Sequence, residues 1–380
     1  MNKSLVWLRS VVACLGTSLA IGAWCADDIV IGQVAPLSGV LADTGKDMVL
    51  GARVYFDYIN DQGGVHGKKI RHVVKDDGYK IDETVRRTRE LIDKDEALAL
   101  IGFAGTGNVG ELLNQKILEK ANIALVAPYT GGENLRTPFN PNIFHIRAGY
   151  ADEAEGIVNQ LVMLNMKRIG VMYQDDPFGR AGLAGVEAAL KKRNLEIAAT
   201  GAYEKNTDKV TDAVNAIAKA NPQAVVMISV NKSTAAFSKQ IRAVSTVAQL
   251  VNISVVNPKE IARLIGNDNA RGIGIAQVMP FPYSATVAIV KEYQQAMKKY
   301  APPKTELSYT SFEEFVGAKV LVEGLRRAGP NPTREKVIRA LETLHAFDTG
   351  GFTVNFSPTN HIGSRFVEIT VIGKDGRLLR

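Results

Sequence analysis

Short β-branched runs alternate with longer segments of helical apolar spacing along most of the chain. Ile29-Val30-Ile31-Gly32-Gln33-Val34 and Lys69-Ile70-Arg71-His72-Val73-Val74 flank a helical pattern over 51–60. Ala97-Leu98-Ala99-Leu100-Ile101 and Ile123-Ala124-Leu125-Val126 flank another over 110–121. The beat restarts at Arg168-Ile169-Gly170-Val171-Met172 and Ala224-Val225-Val226-Met227-Ile228. Such alternation predicts parallel sheets covered by helices on both faces. Two consecutive βαβ sets, one to about 126 and one over about 167–253, predict two similar doubly wound α/β lobes rather than one oversized sheet.

Helical patterns at 285–300, 313–328 and 333–344 then lead to two late strands, Phe352-Thr353-Val354 and Val367-Glu368-Ile369-Thr370-Val371. No low-complexity linker separates the lobes, so each is expected to be completed by returning chain across a multi-strand hinge. The expected division is 27–147 plus 276–354 for the first lobe and 148–275 plus 355–380 for the second.

The first 26 residues depart from this pattern. Lys3 and Arg9 precede an uncharged, mostly apolar stretch from Val11 to Trp24, small residues follow, and Asp27-Asp28 marks an abrupt edge. This is the layout of a secretory signal peptide, cleaved after Cys25 or Ala26, and it predicts export to the periplasm. Both cysteines, Cys14 and Cys25, fall within it, so no internal disulfide is expected in the mature chain. A lipid anchor on Cys14 is disfavoured because Arg9 leaves almost no apolar region upstream.

The whole chain of 380 residues is 46% hydrophobic and 22% charged, an ordinary globular composition that excludes disorder, collagen and coiled coil. Net charge is +7, and losing Lys3 and Arg9 leaves 44 basic against 39 acidic residues, about +5. The basic runs Lys191-Lys192-Arg193, Lys298-Lys299 and Arg326-Arg327 close amphipathic segments, where cations suit a helix C-terminus. They are not interleaved with aromatics, so no nucleic-acid partner is expected.

Gly105-Thr106-Gly107-Asn108-Val109-Gly110 is a literal G-x-G-x-x-G between a strand and a helix. It follows the third strand rather than the first, and no acidic residue ends the next strand, so a dinucleotide cofactor is not expected. What remains is a turn whose small residues and free N–H groups can receive a carboxylate. A second such turn, Tyr129-Thr130-Gly131-Gly132-Glu133, follows the fourth strand. The five histidines are scattered without metal-ligand spacing, and there is no G-x-S-x-G elbow, so neither a metal nor an enzymatic activity is expected. Asp76-Asp77 and Asp175-Asp176 follow strands, where turn and helix-cap roles outweigh a role in a cleft.

Ala35-Pro36-Leu37-Ser38-Gly39, the run from Asn60 to Lys68, Asp76-Asp77, Phe144-His145-Ile146-Arg147, Phe178-Gly179 and Gly350-Gly351-Phe352 stand in an order that resembles branched-chain amino acid ABC transporter substrate-binding proteins. The resemblance spans essentially the whole mature chain. It implies a type I periplasmic binding protein, two Rossmann-like lobes joined by three hinge segments, and a ligand buried at the carboxyl ends of the strands. It also implies a small-molecule ligand, a membrane permease as partner, no cofactor, and a monomer.

By the same resemblance, Gly105 and Thr106 stand in the turn that holds the ligand carboxylate, and Tyr129, Thr130 and Gly131 in the second turn, where the usual Ala-Ala-Thr is replaced. Thr44 and Phe178 fall where the family often lines its pocket with an aromatic ring. In the second lobe, Val230 replaces a tyrosine and Ser254 replaces the acid that meets the ligand ammonium. A buried ammonium there would need another carboxylate, such as Asp175 or Glu260. Besides a branched-chain amino acid, the resemblance therefore admits an amide or an aromatic or aliphatic carboxylate. The alternatives are a ligand sensor of the same fold and a dehydrogenase loaded at 105–110.

Overall fold

A computed structural model describes residues 28–244 and 248–380. The signal segment, with Cys14 and Cys25, lies outside the described residues. The first sheet has the order β2-β1-β3-β4-β5 and is entirely parallel. Its strands are β1 (Ile29–Ala35), β2 (Ile70–Asp76), β3 (Ala99–Ile101), β4 (Leu125–Val126) and β5 (Ile143–Phe144). β1 is almost wholly buried because strands flank it on both sides and helices cover both faces, which its apolar run, interrupted only by Gln33, anticipates.

The second sheet contains β6 (Ile169–Gln174), β7 (Ile197–Tyr203), β8 (Ala224–Ile228), β9 (Gln249–Asn252) and β10 (Gly274–Gln277), then β13 (Glu368–Ile372) and β14 (Leu378–Leu379). Its order is β14-β13-β10-β9-β8-β6-β7, with β13 and β14 antiparallel at one edge. Between β10 and β13 the chain returns to the first lobe and adds helices Ala288–Tyr300, Tyr309–Ala328 and Arg334–Leu341. It also adds the hairpin of β11 (Phe347–Asp348) and β12 (Thr353–Val354). Tyr293, Phe312, Phe315 and Leu341 join Ile31, Phe144 and Val126 in one buried core, so the first lobe is completed by returning chain.

The elements differ from the sequence expectation mainly at their ends. The helix expected over 110–121 is two helices, Thr106–Asn114 and Ile117–Ala121, parted at Lys116, whose φ is +54°. The first helix of the lobe begins at Ala42, well before position 51, and runs to Asp61. There Gly51 lets it lie against the helix Tyr309–Ala328, since a methyl group on Gly51 would collide with the Ser311 carbonyl. β10 runs to Gln277 within the second sheet, beyond the expected return at 276. Phe356 packs in the first lobe's core, beyond the expected exit at 354.

The chain thus passes between the lobes three times: after β5, after β10 and before β13. The first and third passages run side by side. His145 N donates to the His361 carbonyl at 2.9 Å and Gly363 N to the His145 carbonyl at 2.7 Å, and the His361 ring stacks on Phe144 at 3.8 Å between centroids. Among the described residues no helix is long and apolar enough to cross a membrane.

Candidate functional site

The carboxyl ends of the strands of both sheets converge on a small, narrow cavity between the lobes. Leu41 follows β1, Tyr79 follows β2, Ala104 and Gly105 follow β3, and Tyr129 follows β4. Across from them, Phe178 follows β6, Val230 follows β8 and Val255 follows β9, while Tyr150 opens the helix Tyr150–Met163 after β5. A crevice at strand carboxyl ends is where open α/β sheets bind ligands. A larger open groove at the side of the lobe junction is walled by charges that pair among themselves, including Lys259–Glu306 at 3.1 Å and Arg263–Glu260 at 2.6 Å.

Gly105 shapes the cavity's edge. It caps the helix Thr106–Asn114 at φ +97°, and a side chain there would meet the Tyr79 ring and the Asn108 amide at 2.7 Å. Behind it, Thr106 and Thr130 are fully buried and their hydroxyls are 2.7 Å apart, one from each of the two small-residue turns. Gly132 N donates to Thr130 Oγ1 at 3.1 Å and Tyr150 Oη to the same oxygen at 3.4 Å. Gly131 packs against the Tyr150 ring, and its carbonyl accepts from Tyr150 N at 2.8 Å. Hydroxyls and amide donors of this kind, beside the N-terminus of a nine-residue helix, suit a carboxylate.

Of the residues singled out in the sequence, Gly105, Tyr129, Phe178 and Val230 line the cavity, with Thr106, Thr130 and Gly131 directly behind it. Thr44 does not line it. It spans the lobe junction instead, accepting from Asn231 Nδ2 at 3.3 Å. Ser254 does not line it either. Its N–H and hydroxyl donate to the two oxygens of Glu153 at 2.7 and 2.9 Å, and Arg147 donates to its hydroxyl. Asp175 pairs with Arg180 at 2.8 Å and Glu260 with Arg263 at 2.6 Å, so neither reaches in to Ser254. Asp176 caps the helix Pro177–Lys191 through Phe178 N and Gly179 N, and Asp77 holds Tyr79 N and the Thr84 hydroxyl. Both acidic pairs therefore serve turns and caps.

Leu41, Tyr79, Ala104, Tyr150 and Val255 line the cavity and were not singled out in the sequence. Each sits in a loop or at a helix start, positions that periodicity does not mark. Tyr150 was within reach of inference, since it follows the Phe144 to Arg147 crossover that the resemblance identified.

Behind Tyr129 lies a buried ionic cluster. The Arg147 guanidinium sits 4.9 Å from the centre of the Tyr129 ring. It pairs with Glu153 on the second lobe's first helix at 3.6 Å and with Glu313 on the returning helix Tyr309–Ala328 at 3.5 Å. Burial works against the guanidinium's charge, but Glu313 and Glu153 outweigh it and hold the Arg147 pKa above its usual value. Burial raises both carboxylates' pKa values against the pull of Arg147, that of Glu313 to about 7.

The folded protein therefore holds the Glu313 proton more tightly than the unfolded chain does. The stability linked to Glu313 is present below pH 4.5 and lost as pH rises through 7. Glu313→Gln is expected to remove that dependence. The stability difference between wild type and variant should change by on the order of 3 kcal/mol between pH 5 and pH 8. Denaturant unfolding at the two pH values measures this, and parallel behaviour of the two proteins would count against the assignment.

The lobes touch around the cavity through further polar pairs. Lys205 Nζ donates to Asn108 Oδ1 at 2.7 Å and lies 4.0 Å from the Tyr79 ring centre. Asn257 Nδ2 donates to Asp47 at 3.3 Å. Among the described residues no group of three or more His, Cys, Asp or Glu is placed to hold a metal ion.

Comparison with known proteins gives a consistent picture. A family model described as "Periplasmic binding protein" matches residues 28–377. A substrate-binding periplasmic protein from Ralstonia solanacearum is 39% identical in sequence, with a TM-score of 0.88 over 93% of this chain and 99% of its own. A possible leucine/isoleucine/valine-binding protein from Rhodopirellula baltica is 28% identical, with a TM-score of 0.88 over 94% of this chain and 97% of its own. The Leu/Ile/Val-binding protein homolog 3 of Brucella melitensis is 22% identical over 97% of both chains.

Proposed function

The chain belongs to the type I periplasmic binding protein family, and on that footing we propose that it is the extracytoplasmic solute-binding protein of an ABC importer. It captures a small carboxylate-bearing ligand between its lobes and presents the closed form to a membrane permease. The observation that carries this reading is the pair of buried hydroxyls, Thr106 and Thr130, 2.7 Å apart on the two turns that face the aromatic wall of the second lobe. A ligand carboxylate exchanges that mutual bond for two charge-assisted ones, reinforced by the amides at the start of the helix Thr106–Asn114.

Closure then follows from where the walls come from. Leu41, Tyr79 and Tyr129 belong to the first lobe, whereas Tyr150, Phe178, Val230 and Val255 belong to the second, so a ligand gains its full contact only when the lobes meet. Binding energy of that kind shifts the population toward the closed form, through a hinge of three chain passages. No covalent step is required.

The test is thermal unfolding of the mature protein, unfolded and refolded to strip any carried ligand, against small aliphatic and aromatic carboxylates, amino acids and amides. A true ligand at 100 times its dissociation constant adds about 2.7 kcal/mol of stability. A rise in Tm with at least one small carboxylate is expected. No shift with any carboxylate would count against this function.

A further inference from the structure

Resting on the solute-binding reading above, we infer that the cavity selects small apolar carboxylates that lack an α-ammonium group, aromatic or branched aliphatic, over α-amino acids. The residues that line it are apolar or aromatic, and no carboxylate is among them. The carboxylates that border it are already committed. Both oxygens of Glu153 accept from Ser254, and Arg147 stands 3.6 Å away. Glu313 pairs with the other side of the same guanidinium. Asp77 is taken up by Tyr79 N and the Thr84 hydroxyl, and Asp176 by Phe178 N, Gly179 N and the Gln174 amide.

Glu314 has neither oxygen hydrogen-bonded, and Glu313 Oε1 makes no hydrogen bond either, being held only by its ion pair with Arg147. Glu314 lies behind Gly102 against Gln33, and burial raises its pKa well above its usual value, which disfavours its charged form. An ammonium ion in the cavity would thus be buried with no ion partner, a heavy penalty.

The other end of the ligand is served differently. The Thr106 and Thr130 hydroxyls can turn toward a carboxylate. The tyrosine hydroxyls are occupied: Tyr129 Oη bonds the Thr310 hydroxyl at 3.0 Å, and Tyr79 Oη accepts from Gln174 at 3.4 Å. What these side chains offer the ligand is ring surface, and the Tyr150 and Phe178 rings, tilted edge to face at 5.5 Å, continue it. A site with one polar end and aromatic walls discriminates by what it leaves unpaired.

The experiment is calorimetric titration of the refolded mature protein with matched pairs: 4-methylpentanoate against leucine, 3-phenylpropanoate against phenylalanine, and benzoate against benzamide. At least one des-amino acid is expected to bind 100-fold or more tightly than its amino counterpart. Leucine or phenylalanine binding as tightly as its des-amino partner would overturn the selectivity while leaving the solute-binding function intact. If no acid binds, or if benzamide matches benzoate, the carboxylate site itself is refuted and the inference falls with it.

Discussion

Replacing Arg147 by methionine is expected to cost about 3–5 kcal/mol of stability, the largest effect of any single side chain in the site region. The guanidinium is fully buried, and the two carboxylates it faces are equally enclosed, one from each lobe. Methionine fills much of the same volume, so the loss is not one of packing. It is the cost of leaving Glu153 and Glu313 in a low-dielectric interior without their cation, where each must stay charged and unpaired or take up a proton. The pH dependence separates this cause from a cavity effect. Both carboxylates have raised folded pKa values in the wild type, Glu313 to about 7. Without Arg147 they rise further, so Arg147→Met regains stability as pH falls from 8 toward 5 more steeply than the wild type does. Denaturant midpoints across that range measure it. A cost that does not vary with pH would place the damage in packing instead of charge.

That cluster also shows where sequence reasoning stops. The lobes, the parallel sheets and the returning helices were legible because they rest on local periodicity: β8 is five apolar residues and all five are buried. The two small-residue turns were legible because small residues after a strand and before a helix have few other uses, and Gly105 sits there at φ +97°. β7 was not singled out, since Ile197–Tyr203 is an edge strand with alternating exposure and few β-branched residues. Glu153 was invisible for a different reason. It lies 101 residues from Ser254, and nothing local distinguishes it from a solvent-facing helix acid; only the packing of the helix Tyr150–Met163 against β10 and β13 brings the two together. Ser254 was expected where the family places an acid; in the structure it donates to Glu153, a carboxylate from another element that also faces Arg147 at 3.6 Å.

The double substitution Thr106→Val and Thr130→Val is expected to weaken ligand binding by about 100- to 10,000-fold while costing the fold only a few kcal/mol. Each hydroxyl contributes one bond to a charged carboxylate, worth roughly 1.5–3 kcal/mol, and each 1.4 kcal/mol is about tenfold in affinity. In the protein itself the two hydroxyls satisfy each other at 2.7 Å, so removing both together strands neither. Only the Gly132 amide and the Tyr150 hydroxyl lose an acceptor, a cost of about 1–3 kcal/mol each. The single variants are expected to behave worse per atom removed, because each leaves its partner buried without a bond. Titration calorimetry with the preferred carboxylate, set beside thermal unfolding of all four proteins, closes the cycle. Affinity within threefold of wild type in the double variant would mean that the carboxylate is held by the backbone amides alone, and the hydroxyl pair would then be a packing contact between two turns.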